Sequence, residues 1–266
     1  MVRKPAVAGQ FYPADKKSLE KELQGMVVAA DRPQKVLGLM APHAGYMFSG
    51  ACAGLGYGRV RLTATVIILG VNHRGQGAPL ALDGHDFWQT PLGNVALACE
   101  LRSRLSDAST LFAIDSDAGR LEHSLEVQVP FIQYISPGSR ILPITIAAHR
   151  LTDLLAAGHE IAALFRENEN IMMVASSDMS HYIPAARAKQ LDALAIERML
   201  QLDAPGLLRV VQENRISMCG VAPAVIMLAA AKEAGANSAE LVCYTHSGEV
   251  SGDLSEVVGY ASLIVY

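Results

Sequence analysis

The sequence predicts one α/β domain over residues 1–266, with a central, mostly parallel or mixed sheet flanked by helices. Two observations carry that reading. Short runs that are apolar at nearly every position alternate with longer segments of helical periodicity. A strand that is apolar on both sides needs cover on both sides, and helices are what the intervening segments supply.

The elements follow in order. Residues 16–28 read as a helix, 36–40 and 65–69 as buried strands, and 95–105 as a second helix. A strand at 141–146 precedes a helix at 151–166, and a strand at 171–175 precedes a helix at 184–200. In that last helix Leu191, Leu194, Met199 and Leu200 form an apolar stripe at roughly helical spacing. A further helix covers 221–233. Strands at 241–244 and 261–265 close the chain with no helix between them, so part of the sheet is expected to be antiparallel. No repeat, low-complexity tract or Pro/Gly/Ser-rich linker divides the chain, which favours one domain.

Composition narrows the function. With 51% hydrophobic and 18% charged residues, 266 residues bury a sizeable core. A net charge of −4 without a run of like charges argues against nucleic acid as a partner. The apolar stretch 220–231 is too short to span a bilayer and contains Pro223, so no membrane association is expected. Met1-Val2-Arg3-Lys4-Pro5 is not followed by the apolar region of a signal peptide. Cys52, Cys99, Cys219 and Cys243 are scattered, which reads as reduced thiols in a cytoplasmic protein, most of them buried as small hydrophobes.

The chemistry gathers just past the strands. The 36–40 run leads into Ala41-Pro42-His43, and the 65–69 run into Gly70-Val71-Asn72-His73. The 171–175 run leads into Ser176-Ser177-Asp178-Met179-Ser180-His181, and the 241–244 run into Thr245-His246. Ligands in α/β sheets bind at the carboxyl ends of strands, and imidazole serves there as metal ligand or acid/base. Four histidines in that setting predict a shared site for at least two of them. Asp178 and His181, spaced i, i+3, share one side of a turn, with Asp178 orienting a histidine, ligating a metal or capping a helix. His123 and Glu126 share that spacing, and on a helix Glu126 would accept a hydrogen bond from an imidazole. Cys219 precedes an apolar helix, and spacing alone reads it as a buried, inert thiol. His85, His149 and His159 lack such a context and read as surface or structural groups. No P-loop, zinc-protease or nucleophile-elbow motif is present.

These segments resemble the Memo-like family, which includes the Memo partner of the AmmeMemoRadiSam group. The likeness spans nearly the whole chain. It runs from Arg3-Lys4-Pro5-Ala6-Val7-Ala8-Gly9-Gln10-Phe11-Tyr12-Pro13 through Ala41-Pro42-His43-Ala44-Gly45-Tyr46 and the 70–73 loop. It continues in His123-Ser124-Leu125-Glu126, Ser176-Ser177-Asp178 with His181, and Met218-Cys219-Gly220. The resemblance implies a fold like that of the class III extradiol non-haem iron dioxygenases. It implies His43, His73 and Cys219 as metal ligands, with Asp178 and His181 as catalytic groups. His123, Glu126, Tyr46 and His246 would line or support the pocket. The extradiol enzymes complete their site with a carboxylate, whereas here Cys219 takes that place, which favours copper(I), zinc or a redox-active iron. The leading expectation is a metal-dependent oxidoreductase that uses iron or copper on an unidentified small molecule. The alternatives are a module that binds a peptide or small ligand without turnover, and a zinc-dependent hydrolase. The family grouping also implies radical-SAM and AMMECR-type partner proteins.

Overall fold

Alternation inside the apolar runs decides where each strand's side chains go. Leu39 and Ala41 join one apolar cluster while Met40 joins another, and Val66 and Ile68 part from Ile67 and Leu69 in the same way. Met172 and Val174 likewise face away from Met173 and Ala175. Successive side chains of a strand point to opposite faces, so the two clusters are the two sides of one sheet.

The computed structural model describes all 266 residues. Its strands are β1 (Val2–Arg3), β2 (Gly38–Ala41), β3 (Thr65–Val71), β4 (Leu80–Leu82), β5 (Phe87–Thr90), β6 (Gly93–Ala96) and β7 (Ala113–Ile114). They continue with β8 (Arg140–Ile146), β9 (Ile171–Ser176), β10 (His181–Ile183), β11 (Ala239–His246) and β12 (Val257–Val265). The helices are α1 (Lys16–Met26), α2 (Tyr46–Arg59), α3 (Cys99–Ala108), α4 (Val129–Ile135) and α5 (Leu151–Glu167). After these come α6 (Ala185–Leu200), α7 (Ala204–Glu213), α8 (Val221–Glu233) and the single turn α9 (Gly248–Ser251).

Nine strands form the main sheet in the order β10-β12-β2-β9-β3-β8-β4-β7, with β11 also paired to β12. The central four, β2, β9, β3 and β8, are parallel. Antiparallel pairing enters at β12 on one side and β4 on the other, so the sheet is mixed. Helices α1 and α2 cover one face, and α5, α6, α7 and α8 the other. A small sheet, β1-β5-β6, lies apart.

Several segments differ from the sequence expectation, among them α4 and α7, which the apolar pattern does not single out. Residues 95–98 are not helical, because Val95 pairs with Trp88 in the β5–β6 hairpin and α3 begins only at Cys99. Helix α2 was not foreseen in a segment with five glycines between residues 45 and 58. Its glycines serve close packing. A Cβ at Gly54 would collide with the carbonyl of Met26, where α1 ends against α2. Alanine is ordinarily worth about 1 kcal/mol over glycine inside a helix. Here the backbone contact reverses that preference, and Gly54→Ala is expected to lower stability by about 2 kcal/mol net, as overpacking does. Urea unfolding of the purified variant checks the sign.

Candidate metal centre

Strand order brings the first two histidines together. β2 and β3 flank β9, all three parallel, so His43 and His73 leave the sheet at the same rim on either side of Ser176. The third imidazole comes from a loop. His123 precedes the 3₁₀ turn Glu126–Gln128, and its ring lies 4.7 Å from that of His73 and 5.4 Å from that of His43. One nitrogen from each of the three rings lies within 4.8 Å of the others. Some point is then within about 2.8 Å of all three, and small side-chain shifts reach the 2.0–2.1 Å of a metal–imidazole bond.

Hydrogen bonds fix which nitrogen faces inward. Ser176 Oγ donates its one hydrogen to the Ser124 carbonyl at 2.6 Å and accepts from Gln128 Nε2 at 2.8 Å. At 3.0 Å from His43 Nδ1 it can therefore only accept, which places the proton on Nδ1 and leaves the Nε2 lone pair free. His73 Nδ1 lies 2.9 Å from Glu122 Oε1, and His123 Nδ1 lies 3.3 Å from the same oxygen. A carboxylate accepts only, so the hydrogen-bonded His73 ring is also protonated at Nδ1, while His123 Nδ1 stands at ion-pair distance without a hydrogen bond. His43 and His73 thus present Nε2 as ligand, and His73 has the carboxylate–imidazole support common behind metal-bound histidine.

Electrostatics agree. Burial, then the nearby His73, pushes His43 down to about 3. Burial and His43 push His123 down to about 4. Both rings are neutral at neutral pH, as ligation requires. Burial raises Glu122, but bonds from His73 and the Ser124 amide outweigh it and hold the carboxyl down at about 2.

Cys219 sits beside this triangle. Its Sγ is 3.2 Å from His43 Nε2 and accepts from the Asp178 amide at 3.3 Å. Gly220 makes that approach possible, since a Cβ there would lie 2.5 Å from the Ser176 carbonyl. Burial and the Asp178 charge push the thiol well above its ordinary range. Asp178 caps no helix. It is buried, Oδ1 accepts from the His43 amide at 2.7 Å, Oδ2 is 3.9 Å from His43 Nε2, and burial raises its carboxyl. His181 stands at the rim with Nδ1 2.8 Å from the Ser217 carbonyl, which leaves its Nε2 lone pair free.

The expected ligands His43, His73 and Cys219 are thus together, but the three nitrogens that close on one point belong to His43, His73 and His123. Glu126 does not support an imidazole. Its carboxylate accepts from Arg3 at 2.6 Å, from the Ala6 and Val7 amides and from the Tyr12 hydroxyl. Glu122, four residues earlier, does that work. Tyr46 is buried, bonds the Val127 carbonyl and borders a cavity of about 410 Å³ beside the site, together with Phe11. Phe11 packs on His123 at 4.6 Å. His246 ends β11 beyond β12 and faces Glu249 at 3.7 Å, outside the triangle. Gln128 escapes the sequence reading, and Ser176 reads there as a turn-capping hydroxyl, since their roles depend on strand register and a distant turn.

The sequence model of the Memo-like protein family matches residues 3–264. The chain belongs to that family. A MEMO1 family protein of Methanosarcina barkeri is 41% identical over 99% of this chain and 100% of its own length. Another, from Aquifex aeolicus, is 38% identical over 99% of this chain and 98% of its own. Among solved structures, the uncharacterized Escherichia coli K12 protein JW3007 is similar at a TM-score of 0.58, covering 86% of this chain and all of the other. At 13% identity that likeness concerns the fold alone. No helix of this Memo-like protein is long and apolar enough to cross a membrane.

Glu122→Gln keeps the shape of the side chain and removes the charge that orients His73 and stands beside His123. Affinity for a divalent ion is expected to fall about 10- to 100-fold, measured by competition with a chromophoric chelator.

The lowered histidines set a pH dependence. Unfolded histidines take up protons near pH 6.5, while folded His43 and His123 resist until about 3 and 4. Their contribution to stability is therefore present above pH 6.5 and lost as pH falls. Each group contributes a slope of about 1.4 kcal/mol per pH unit in that window. Urea unfolding of chelator-treated protein between pH 6 and pH 5 is expected to show His123→Gln with a slope shallower by that amount.

Proposed function

We propose that this Memo-like protein is a metal-dependent oxidoreductase that holds iron or copper on His43, His73 and His123, with Cys219 as an adjoining ligand, and acts on a small molecule. The observation that carries the reading is the convergence of three imidazoles on one point, with a buried thiol 3.2 Å from one of them. Three imidazoles alone suit several metals. The sulfur favours softer, redox-active ions. Such an ion supplies electron transfer to oxygen or to a reducible substrate.

The chain's own residues supply the rest. His181 Nε2, held by the Nδ1 bond to Ser217, takes a proton from substrate or water and returns it. Asp178 fixes the loop after β2 through the His43 amide. Phe11, packed on His123, shields that ring from water. The four cysteines are all unpaired, which fits a reducing cytoplasm. Radical-SAM and AMMECR-type partners rest on the family resemblance alone.

A second reading has its own support, because three imidazoles with an open position are also a donor set of catalytic zinc. Metal identity separates the two. Protein purified anaerobically without a histidine tag is expected to carry about one iron or copper per chain, and to consume oxygen with a reductant present. The double change His43→Ala, His73→Ala is expected to lose both properties. Equal metal in the two proteins sinks the site, and zinc without oxygen uptake selects hydrolysis. Ligand binding that survives metal removal, with no turnover, selects a non-catalytic binding module.

A further inference from the structure

Away from the candidate metal centre, Cys52 and Cys243 meet where α2 packs on β11. Cys52 lies inside α2 at 1% exposure, and Cys243 is half-buried on β11. The pairing of β11 with β12 slips between Leu241 and Cys243, so Leu241 opposes Leu263 but Cys243 opposes Ser262. In a regular strand Leu241 and Cys243 would share a face. The bulge re-aims Cys243 to the α2 side, whereas Leu241 packs with the opposite cluster. Cys52 Sγ is 3.8 Å from Ser262 Oγ and 4.0 Å from the Cys243 carbonyl, and Ser262 donates its hydroxyl to the Cys52 carbonyl at 2.7 Å. One serine thus holds both cysteines side by side.

We propose that Cys52 and Cys243 are a reactive dithiol, a site of reversible disulfide formation that exchanges with small disulfides such as glutathione disulfide. The two thiols are unequal. Cys243 lies on the more open strand, and the neighbouring Cys52 thiol holds it down at about 7 despite burial. The same contact, with burial, pushes Cys52 far up. A thiol near ambient pH is the best placed to attack a disulfide.

Exposure and ionisation therefore set the order of events. Cys243 thiolate attacks one sulfur of the small disulfide, whose S–S bond breaks. One half departs as a thiolate and takes up the proton that Cys243 had lost. Cys52 then attacks the Cys243 sulfur, giving its proton to the second departing half. The protein gains one S–S bond and loses two hydrogens, and the small disulfide becomes two thiols. The new bond ties α2 to β11.

The test uses the full chain in anaerobic mixtures of reduced and oxidised glutathione, quenched with acid and alkylated. Wild type is expected to lose two of its four thiols together, with peptide mapping joining Cys52 to Cys243 and dithiothreitol restoring both. Cys52→Ser is expected to stop at a glutathione adduct on Cys243. Both cysteines remaining alkylatable at every ratio overturns the proposal. So does wild type that keeps the adduct without closing, or a bond that involves Cys99 or Cys219. Should Cys52→Ser fail to fold, the wild-type mapping decides alone.

Discussion

One buried carboxylate orders the candidate metal centre. Glu122 is wholly removed from water, and its two oxygens accept from the His73 amide, His73 Nδ1 and the Ser124 amide, with His123 Nδ1 at 3.3 Å. Taking a carboxylate out of water costs several kcal/mol unless hydrogen bonds and nearby positive charge offset it. The donors are here, but Arg3 reaches only the backbone carbonyl of Glu122. The carboxylate thus has no lysine or arginine as an ion-pair partner. A pocket of imidazoles around such a carboxylate suits a cation, a warrant independent of family likeness.

The second glutamate of the same loop does a different job. Glu126 and Arg3 form a buried pair at 2.6 Å, and the guanidinium lies 4.1 Å from the centre of the Trp88 ring. With the Ala6 and Val7 amides and the Tyr12 hydroxyl on the same carboxylate, the N-terminal segment is strapped across the loop that carries His123. Phe11 reaches His123 because of that strap. Arg3 also donates to the Gly119 and Glu122 carbonyls, so the strap and the metal-facing loop share one anchor. Removing one partner would leave a buried charge without its counterion, which is the costly way to break such a pair.

Much of the fold was legible in the sequence, because two-sided burial writes itself as continuous apolar runs. The strands around 38–41, 65–71, 140–146 and 171–176 all read that way. Helix α2 was not legible, since the glycines that admit Met26 to its surface erase the helical signal. The strand-end rule found His43 and His73, because their strands are parallel and separated only by β9. It could not place His246, whose strand lies beyond β12, for strand order is not written in local periodicity. The spacing of His123 and Glu126 misled for a related reason. It has meaning on a continuous helix, whereas here a 3₁₀ turn begins at Glu126 with His123 in the loop before it. The carboxylate nearest the ring belongs to its immediate neighbour in sequence, a relation that helical spacing would have rejected.

Cys219 shows how far geometry alone carries. Its sulfur touches His43 Nε2, yet burial and Asp178 make the thiolate unfavourable, and burial disfavours the charged form of Asp178 as well. Two acids that resist ionisation, beside imidazoles that resist protonation, describe a centre in which every added charge is costly until an opposite one arrives. Metal capture at such a centre is linked to proton release, since a thiolate ligand must lose its hydrogen to bind. The same burial that makes Cys219 look like an inert core thiol would therefore make its ionisation depend on a cation bound beside it.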